Sequence, residues 1–113
     1  MFQMKKKRQS KNEKDNLHAA FDQADERVGS VYVSMAGHDR GFLFVAVAAL
    51  DRDHVLVADG KTRKLIAPKK KKMRHLSMIT RFSEQETQTL REGAANDSFL
   101  RKALLRVTLE KLT

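Results

Sequence analysis

Hydrophobic and polar residues alternate along the middle of the chain in the manner of β-strands. In "VYVSM" (31–35), the valines and the methionine share one face, whereas Tyr32 and Ser34 lie on the other. The segments that we predict as further strands are 42–50, 55–60, 61–67 and 73–79. Turn signals separate them roughly every ten residues, which favours a small barrel over an open sheet. The fold is therefore predicted to be mainly β.

The last third of the chain shows helical periodicity instead. Ser83 followed by Glu86 is a capping-box pattern, and it predicts a helix that ends near Gly93. Asn96 or Asp97 then caps a second helix. The apolar residues of this helix form a broad stripe: Phe99, Leu100, Ala103, Leu104, Val107 and Leu112. We expect the stripe to pack on the barrel within the chain, with dimerisation as the alternative.

Residues 1–16 are polar and basic without an apolar period, so we interpret them as a flexible arm. A short amphipathic helix over about 14–26 is the next prediction, with disorder as the alternative. The predicted organisation is a basic flexible arm with this short helix (1–27), a barrel (28–79) and a C-terminal helical extension (80–113).

The composition of the 113 residues suits one small domain with appendages. A hydrophobic fraction of 41% is enough for a modest core, and the absence of cysteine excludes disulfide bonds and thiolate metal sites. No apolar run is long enough to span a membrane, and no apolar segment follows the basic start as in a signal peptide. We therefore expect a cytoplasmic protein without a membrane partner.

Positive charge is concentrated in two blocks of the chain, whose formal net charge is +9. Residues 61–76 contain eight Lys or Arg residues and no Asp or Glu, and residues 1–16 contain six against two. The other segments are acidic or nearly neutral. Such clustering is typical of proteins that bind polyanions such as nucleic acids.

The segment "VYVSMAGHDRGFLFVAVAALDRDHVLVADGKTRKLIAPKKKKMRHL" (31–76) resembles the KOW-domain RNA-binding proteins of Gram-positive bacteria. These proteins are similar to the archaeal and eukaryotic fourteen-e family of large-subunit ribosomal proteins. The matching features are the strand entering "SMAGHDRG", the apolar strand after it, "VLVADGKTRKL", and the lysine run ending in "MRHL". The resemblance implies an SH3-like barrel over 28–79 that binds structured RNA, usually ribosomal.

Within this resemblance, Gly41 occupies the position of the hallmark glycine of the KOW motif. Residues 1–27 have no counterpart in the family, and the C-terminal helices go beyond the minimal barrel. His38 stands where the family usually has a basic residue, which weakens the positive charge at that point.

The loop "AGHDRG" (36–41) is the first candidate binding element. Gly37 and Gly41 can adopt backbone angles closed to other residues, and they let a nucleic-acid backbone come close. Arg40 can place its planar guanidinium on a phosphate. The alternative interpretation is a tight strand connection with an exposed arginine.

The basic segment after the Asp59–Gly60 turn is the second candidate. Several cations at backbone spacing neutralise phosphates and release counterions. We predict that the segment is folded at both ends and displays its lysines as an exposed crest after Pro68; the alternative is a loop kept basic for solubility. The apolar residues expected to anchor it are Leu65, Ile66, Met73 and Leu76. The cations predicted to contact RNA are Arg40, Lys61, Arg63, Lys64, Lys69, Lys70, Lys71, Lys72 and Arg74.

Aromatic residues that could stack on bases are scarce, since the chain has one Tyr, no Trp and six Phe. Most of the phenylalanines are expected in the core, and Tyr32 is the best candidate for exposure. Readout of single strands by a row of aromatics is therefore disfavoured, and recognition of phosphates and RNA shape fits better. The lysines of the arm either add non-specific RNA contacts or serve as a solubilising tail.

Catalytic chemistry finds no support in the sequence. The histidines His18, His38, His54 and His75 do not pair at helical spacing and have no cysteine partner, so we expect no metal site. His38 and Asp39 are loop neighbours, which does not make a catalytic dyad. No nucleophile motif or P-loop occurs. We expect no enzymatic activity and no cofactor.

Two other functions compete with RNA binding. A transcription-associated KOW module would bind DNA or nascent RNA with the same cations. A protein-interaction module would instead use the helix over 97–112 to dock a partner or a second copy, with the charge serving solubility.

Overall fold

The computed structural model describes residues 22–112, so the basic arm (1–16) and most of the helix predicted over 14–26 lie outside the described residues. The described end of that predicted helix is not helical. Asp22 forms an isolated antiparallel bridge with Ala49, and a turn leads from there into the first strand. The helix prediction is therefore wrong for these residues.

Residues 22–112 fold into five β-strands, one 3₁₀ helix and two α-helices. The strands are β1 (Ser30–Ser34), β2 (Leu43–Asp51), β3 (His54–Ala58), β4 (Lys69–Lys72) and β5 (Leu76–Arg81). The 3₁₀ helix (Met73–His75) joins β4 to β5, and the α-helices are α1 (Glu84–Arg91) and α2 (Asp97–Leu112). Neighbouring strands are antiparallel, in the order β4-β3-β2-β1-β5. The protein is mainly β, as predicted.

The sheet is strongly curved, because a very short connection joins its two edge strands. In a flat sheet of five strands, β4 and β5 would lie about 19 Å apart. The 3₁₀ helix between them advances only roughly 8 Å. Met73 N donates to Asp53 O (2.7 Å), and Met35 N donates to His75 O (2.8 Å), so both ends of this helix are held. In the described part of the chain β4 and β5 do not pair, and the barrel is not closed.

Both faces of the curved sheet are covered by apolar residues. On one face, α2 packs on β2 and β5 in a helix-side core that includes Val31, Val45 and Leu100. The opposite face holds a second core around Phe44 and Tyr32. Tyr32 is only 4% exposed, so the prediction of an exposed Tyr32 is wrong. Strands β1 and β2 are buried on both faces, so the alternation along them does not mark a solvent-exposed side.

The two helices begin where the sequence predicts. The Ser83 hydroxyl accepts a hydrogen bond from Glu86 N, and the Glu86 carboxylate accepts one from Ser83 N, so the capping box is formed. Helix α1 ends just before Gly93. The Asn96 side chain caps α2 by accepting a hydrogen bond from Phe99 N (2.8 Å). These predictions are confirmed.

The apolar stripe of α2 packs on the sheet within the chain, as expected. The stripe residues that are buried or partly buried are Phe99, Leu100, Ala103, Leu104 and Val107. Leu112, by contrast, is 77% exposed. At about 100° per residue, it lies on the side of the helix that carries the exposed Leu105 and Leu109. Its assignment to the packed stripe is wrong.

The strand predicted over 61–67 is absent. The carboxylate of Asp59 instead organises a turn by accepting hydrogen bonds from Lys61 N (2.9 Å) and Arg63 N (2.8 Å). The Thr62 hydroxyl adds a third bond to the same carboxylate (2.5 Å). Local bonds of this kind compete with a strand ladder. The fourth strand consists of the lysine run itself.

Three of the four predicted anchors of the basic segment pack as expected. Leu65 contacts the helix-side core, whereas Met73 and Leu76 contact the second core. Ile66 is 92% exposed, so its assignment as an anchor is wrong. Leu65 and Ile66 lie in a turn directly before Pro68, and only Leu65 is turned toward the core. Pro68 precedes β4, where its missing N–H breaks no ladder bond.

We predict that Gly60→Ala destabilises the fold more than Gly93→Ala, although both glycines have positive φ angles (79° and 72°). A Cβ at position 60 would collide with Asp97 O at the start of α2, whereas one at position 93 would meet no atom within 4 Å. The expected losses of unfolding free energy are roughly 3 kcal/mol for Gly60→Ala and about 1 kcal/mol for Gly93→Ala. Urea denaturation measures both, and equal losses would contradict the close contact.

Candidate nucleic-acid interface

The β1–β2 loop is a tight turn built on two glycines. Gly37 and Gly41 have φ angles of 88° and 90°, the conformation that the sequence predicts for them. Gly41 N donates to Ser34 O (2.8 Å), which closes the loop on the end of β1. A Cβ at Gly41 would meet no atom within 4 Å, so a ligand backbone has room to approach. Arg40 is exposed beside it and has no side-chain partner among residues 22–112.

The same loop carries one buried carboxylate, Asp39. It accepts hydrogen bonds from Ser34 Oγ (2.7 Å), Lys69 Nζ (2.8 Å) and Lys71 Nζ (3.0 Å). Lys71 Nζ also donates to Ala36 O (3.2 Å). These bonds join the β1–β2 loop to β4, although two strands separate β1 from β4 in the sheet.

The surroundings of Asp39 keep it ionised at neutral pH. Burial by itself raises the pKa of a carboxyl, but the hydrogen bonds from Lys69, Ser34 and Lys71 outweigh burial and hold the pKa of Asp39 well below its ordinary value of 3.8. One carboxylate thus compensates one of the two lysine charges. The cluster keeps a net positive charge.

The lysine run of β4 alternates between two environments. Lys71 is 7% exposed and Lys69 is partly buried, whereas Lys70 and Lys72 are exposed. The prediction that all four lysines form an exposed crest is therefore wrong for Lys71. Successive strand residues point to opposite faces, and a run of identical residues hides this alternation. The hint in the sequence is the single carboxylate of the facing loop, Asp39.

The segment 61–64 is held in position by α2. Leu65 N donates to Asp97 Oδ1 (2.9 Å), and Arg101 Nη1 donates to Gly60 O (2.7 Å). The cations of the segment are all exposed and have no side-chain partner in the described ranges. They are therefore displayed from a fixed backbone.

The loop, this segment and β4 meet around one open cleft of 210 Å³, which we call the basic cleft. Its lining residues are His38, Asp39, Phe42, Phe44, Thr62, Arg63 and Lys69. The structure thus brings the β1–β2 loop to β4, with Asp39 and Lys69 in contact although they are 30 residues apart in the chain. Asp39 is the one carboxylate in the lining, and its two lysine partners offset it.

A second group of exposed cations consists of Lys70, Lys72 and Arg74. Lys70 and Lys72 lie on the face of β4 opposite to the paired lysines. The cross-strand partner of Lys72 is His54, whose Nδ1 lies 2.9 Å from the carboxylate of Asp51. The Asp51 carboxylate therefore places a negative charge near this end of β4.

The position of β4 at the sheet edge offers another reason for its lysines. Exposed edge strands can pair with other chains, and lysine and proline residues at an edge prevent such pairing. Lys70 and Lys72, preceded by Pro68, fit that description. Edge protection and phosphate binding therefore both account for the exposed lysines of β4.

Several arginines outside the predicted site make structural hydrogen bonds. Arg81 donates to Ser30 Oγ and to backbone carbonyl oxygens, and Arg106 pairs with Glu86 and Glu110. The other arginines that donate to backbone carbonyls are Arg27, Arg91 and Arg101. These side chains hold elements together, in contrast to the unpaired cations near the basic cleft.

Phe42 is a residue of the site that the sequence analysis missed. It follows Gly41 at the entry to β2, lines the basic cleft and is 44% exposed. The sequence assigns most phenylalanines to the core, and nothing in the alternation separates Phe42 from Phe44. Its place directly after the loop glycine is the signal that could have distinguished it.

Residues 22–112 contain no group of three His, Cys, Asp or Glu side chains that could hold a metal ion. Within the same range, neither helix is long and apolar enough to cross a membrane. Comparison with protein-family models and with curated proteins finds no match for this chain. The functional interpretation therefore depends on the geometry and charge of the site.

We predict that Asp39→Asn lowers the unfolding free energy at pH 7 by about 3 kcal/mol, because it leaves Lys71 buried without an anion. The stability that the Asp39 charge contributes is present above the ordinary carboxyl pKa of 3.8, and it is lost as the pH falls below that value toward the lowered native pKa. The difference between wild type and variant should therefore shrink on acidification, as measured by urea denaturation across a pH series.

The matched control is Asp53→Asn, at an exposed carboxylate in the β2–β3 turn. It should change the unfolding free energy by less than about 0.5 kcal/mol. If the two variants lost the same stability, the ion pair of Asp39 would not hold the loop to β4.

Proposed function

We propose that this chain is a non-catalytic, cytoplasmic RNA-binding protein with a KOW-type, SH3-like barrel. In this proposal it binds structured RNA, with ribosomal RNA or the ribosome as the foremost partner, by neutralising phosphates around the basic cleft. The observation that carries the proposal is one open cleft lined jointly by the β1–β2 loop, segment 61–64 and β4. Arg63 lies in its lining and Arg40 on the loop that borders it, and both are exposed without a side-chain partner among residues 22–112.

The fold supports this proposal through its curvature. A five-stranded antiparallel sheet that curls until its edges approach is the architecture expected of a small SH3-like barrel. The loop between β1 and β2 carries the glycine at the hallmark position of the KOW resemblance, Gly41, and lies at the basic cleft. The fold and the charge therefore support the same interpretation independently.

The chemistry around the basic cleft suits phosphate oxygens. Arg40 and Arg63 are exposed, and their planar guanidinium groups can each offer two parallel N–H donors to one phosphate. Lys61 and Lys64 add two further charges on the same segment as Arg63. Two carboxylates lie beside these cations. Asp39 is paired with two lysines, and Asp59 accepts hydrogen bonds from Lys61 N, Thr62 Oγ1 and Arg63 N.

We predict that binding to a structured RNA weakens steeply with salt. If about five phosphates are neutralised, the logarithm of the association constant should fall with the logarithm of salt concentration at a slope of roughly −3.5 to −4.5. Arg40→Gln combined with Arg63→Gln should flatten the slope by about 2 units without changing thermal stability. Fluorescence anisotropy at several salt concentrations measures both quantities.

The control variant removes the same number of positive charges from a different surface. Lys102→Gln combined with Lys111→Gln changes two exposed lysines of α2 and should leave the slope unaltered. If both double variants flattened the slope equally, only the overall charge would matter, and the basic cleft would lose its role. A slope near zero for wild type would contradict phosphate binding altogether.

The exposed lysines of β4 need a separate variant, because edge protection also explains them. Lys70→Gln combined with Lys72→Gln should flatten the salt slope if these lysines contact phosphates. If the slope stayed the same while light scattering showed new self-association, their role would be edge protection. Lys71 is left unchanged in this variant because of its bond to Asp39.

We predict tighter binding to a ribosomal RNA fragment than to a DNA duplex of equal length at equal salt. Recognition of A-form shape and 2′-hydroxyl groups would produce this difference. Equal or tighter binding to DNA would favour the transcription-associated alternative. Competition anisotropy with both unlabelled nucleic acids measures the preference.

A protein-interaction module remains the second candidate function. The observation that favours it is the row of exposed leucines on α2: Leu105, Leu109 and Leu112. Light scattering of the wild-type chain tests the homodimer form of this function. A dimer that reverts to a monomer on Leu109→Glu would support the homodimer form. A wild-type monomer would contradict that form.

A further inference from the structure

An aromatic ring lies half-exposed among the cations of the basic cleft. Phe42 is 44% exposed, although burying a phenylalanine is one of the larger stabilising contributions available to a small core. The second core is already filled by the fully buried Phe44, whose ring centroid lies 6.5 Å from that of Phe42. Phe42 therefore covers Phe44 with part of its surface and presents the remainder to the cleft.

Several groups around the ring suit contacts to a nucleotide, and the one carboxylate of the lining, Asp39, is paired with two lysines. Arg63 and Lys69 line the same cleft, and the backbone next to the ring is open at Gly41. The Thr62 hydroxyl also lines the cleft and donates to Asp59, so its oxygen lone pairs remain able to accept a hydrogen bond. An aromatic face with neighbouring cations is how proteins hold an unpaired base with its phosphates.

We propose that the basic cleft takes one unpaired nucleobase of the bound RNA, stacked on Phe42, while Arg40 and Arg63 hold the phosphates on either side of it. This inference rests on the proposed RNA binding and names the RNA feature that is recognised. A base inside a helix shows only its edge to a protein, so the nucleotide must come from a bulge or a loop. One exposed ring takes one base, which agrees with the lack of a row of exposed aromatics.

The direct test compares two RNA hairpins that differ only by a single-nucleotide bulge. Wild type should bind the bulged hairpin about tenfold more tightly than the fully paired one. Phe42→Leu removes the ring but keeps an apolar side chain, and it should abolish this preference, so that the two hairpins bind with equal affinity. Phe42→Tyr keeps the ring face and should retain the preference.

The control variant is Leu109→Ala, which removes a similarly exposed apolar side chain on α2 and should not change the preference. A second readout on wild type uses 2-aminopurine at the bulge, whose emission should change on binding as the base stacks. This readout does not depend on a variant that folds.

The outcomes separate this inference from the proposed function. If wild type bound both hairpins equally, or if Phe42→Leu kept the preference, the base site would be wrong and phosphate-based RNA binding would stand. If wild type bound neither hairpin at about physiological salt, the proposed function would fail and the base site with it.

Discussion

The buried ion pair between Asp39 and the lysines of β4 is the interaction on which the curved sheet and the basic cleft depend. Taking a carboxylate and an ammonium group out of water costs several kcal/mol, and the cost is recovered only with good geometry and further hydrogen bonds. Ser34 Oγ and Ala36 O supply those bonds here. The pair therefore favours the one arrangement in which the β1–β2 loop lies over β4.

Because of this ion pair, the lysines of β4 have different roles. The side chain of Lys71 joins β4 to the β1–β2 loop, and it cannot also neutralise a phosphate while it bonds Asp39. Lys70, its neighbour in sequence, faces solvent. In the proposed function, binding depends mainly on cations of the loop and of segment 61–64, whose backbones are held by the Asp39 pair and by α2. Within the basic segment, Lys71 therefore contributes to stability, whereas the cations of segment 61–64 contribute to the proposed function.

Elements specified by local patterns were predictable, and elements specified by distant contacts were not. The capping box of Ser83 and Glu86 and the positive φ at Gly41 depend on a few neighbouring residues, and both predictions are confirmed. The missing strand over 61–67 results from the carboxylate of Asp59, which satisfies the backbone locally. Tyr32 was predicted to be exposed but is buried. Alternation shows that a strand has two faces, but it does not show whether both faces are buried in the folded protein.

The sequence by itself determined the mainly β fold with C-terminal helices, the loop glycines and the concentration of positive charge, because each follows from periodicity, backbone freedom or composition within a short segment. Only the tertiary structure decided which lysine is buried and which phenylalanine stays exposed. Those properties depend on the curvature of the sheet, which is set by the short 3₁₀ connection between edge strands and by one ion pair across 32 residues. No local pattern contains that information, because both partners meet only after the sheet has curled.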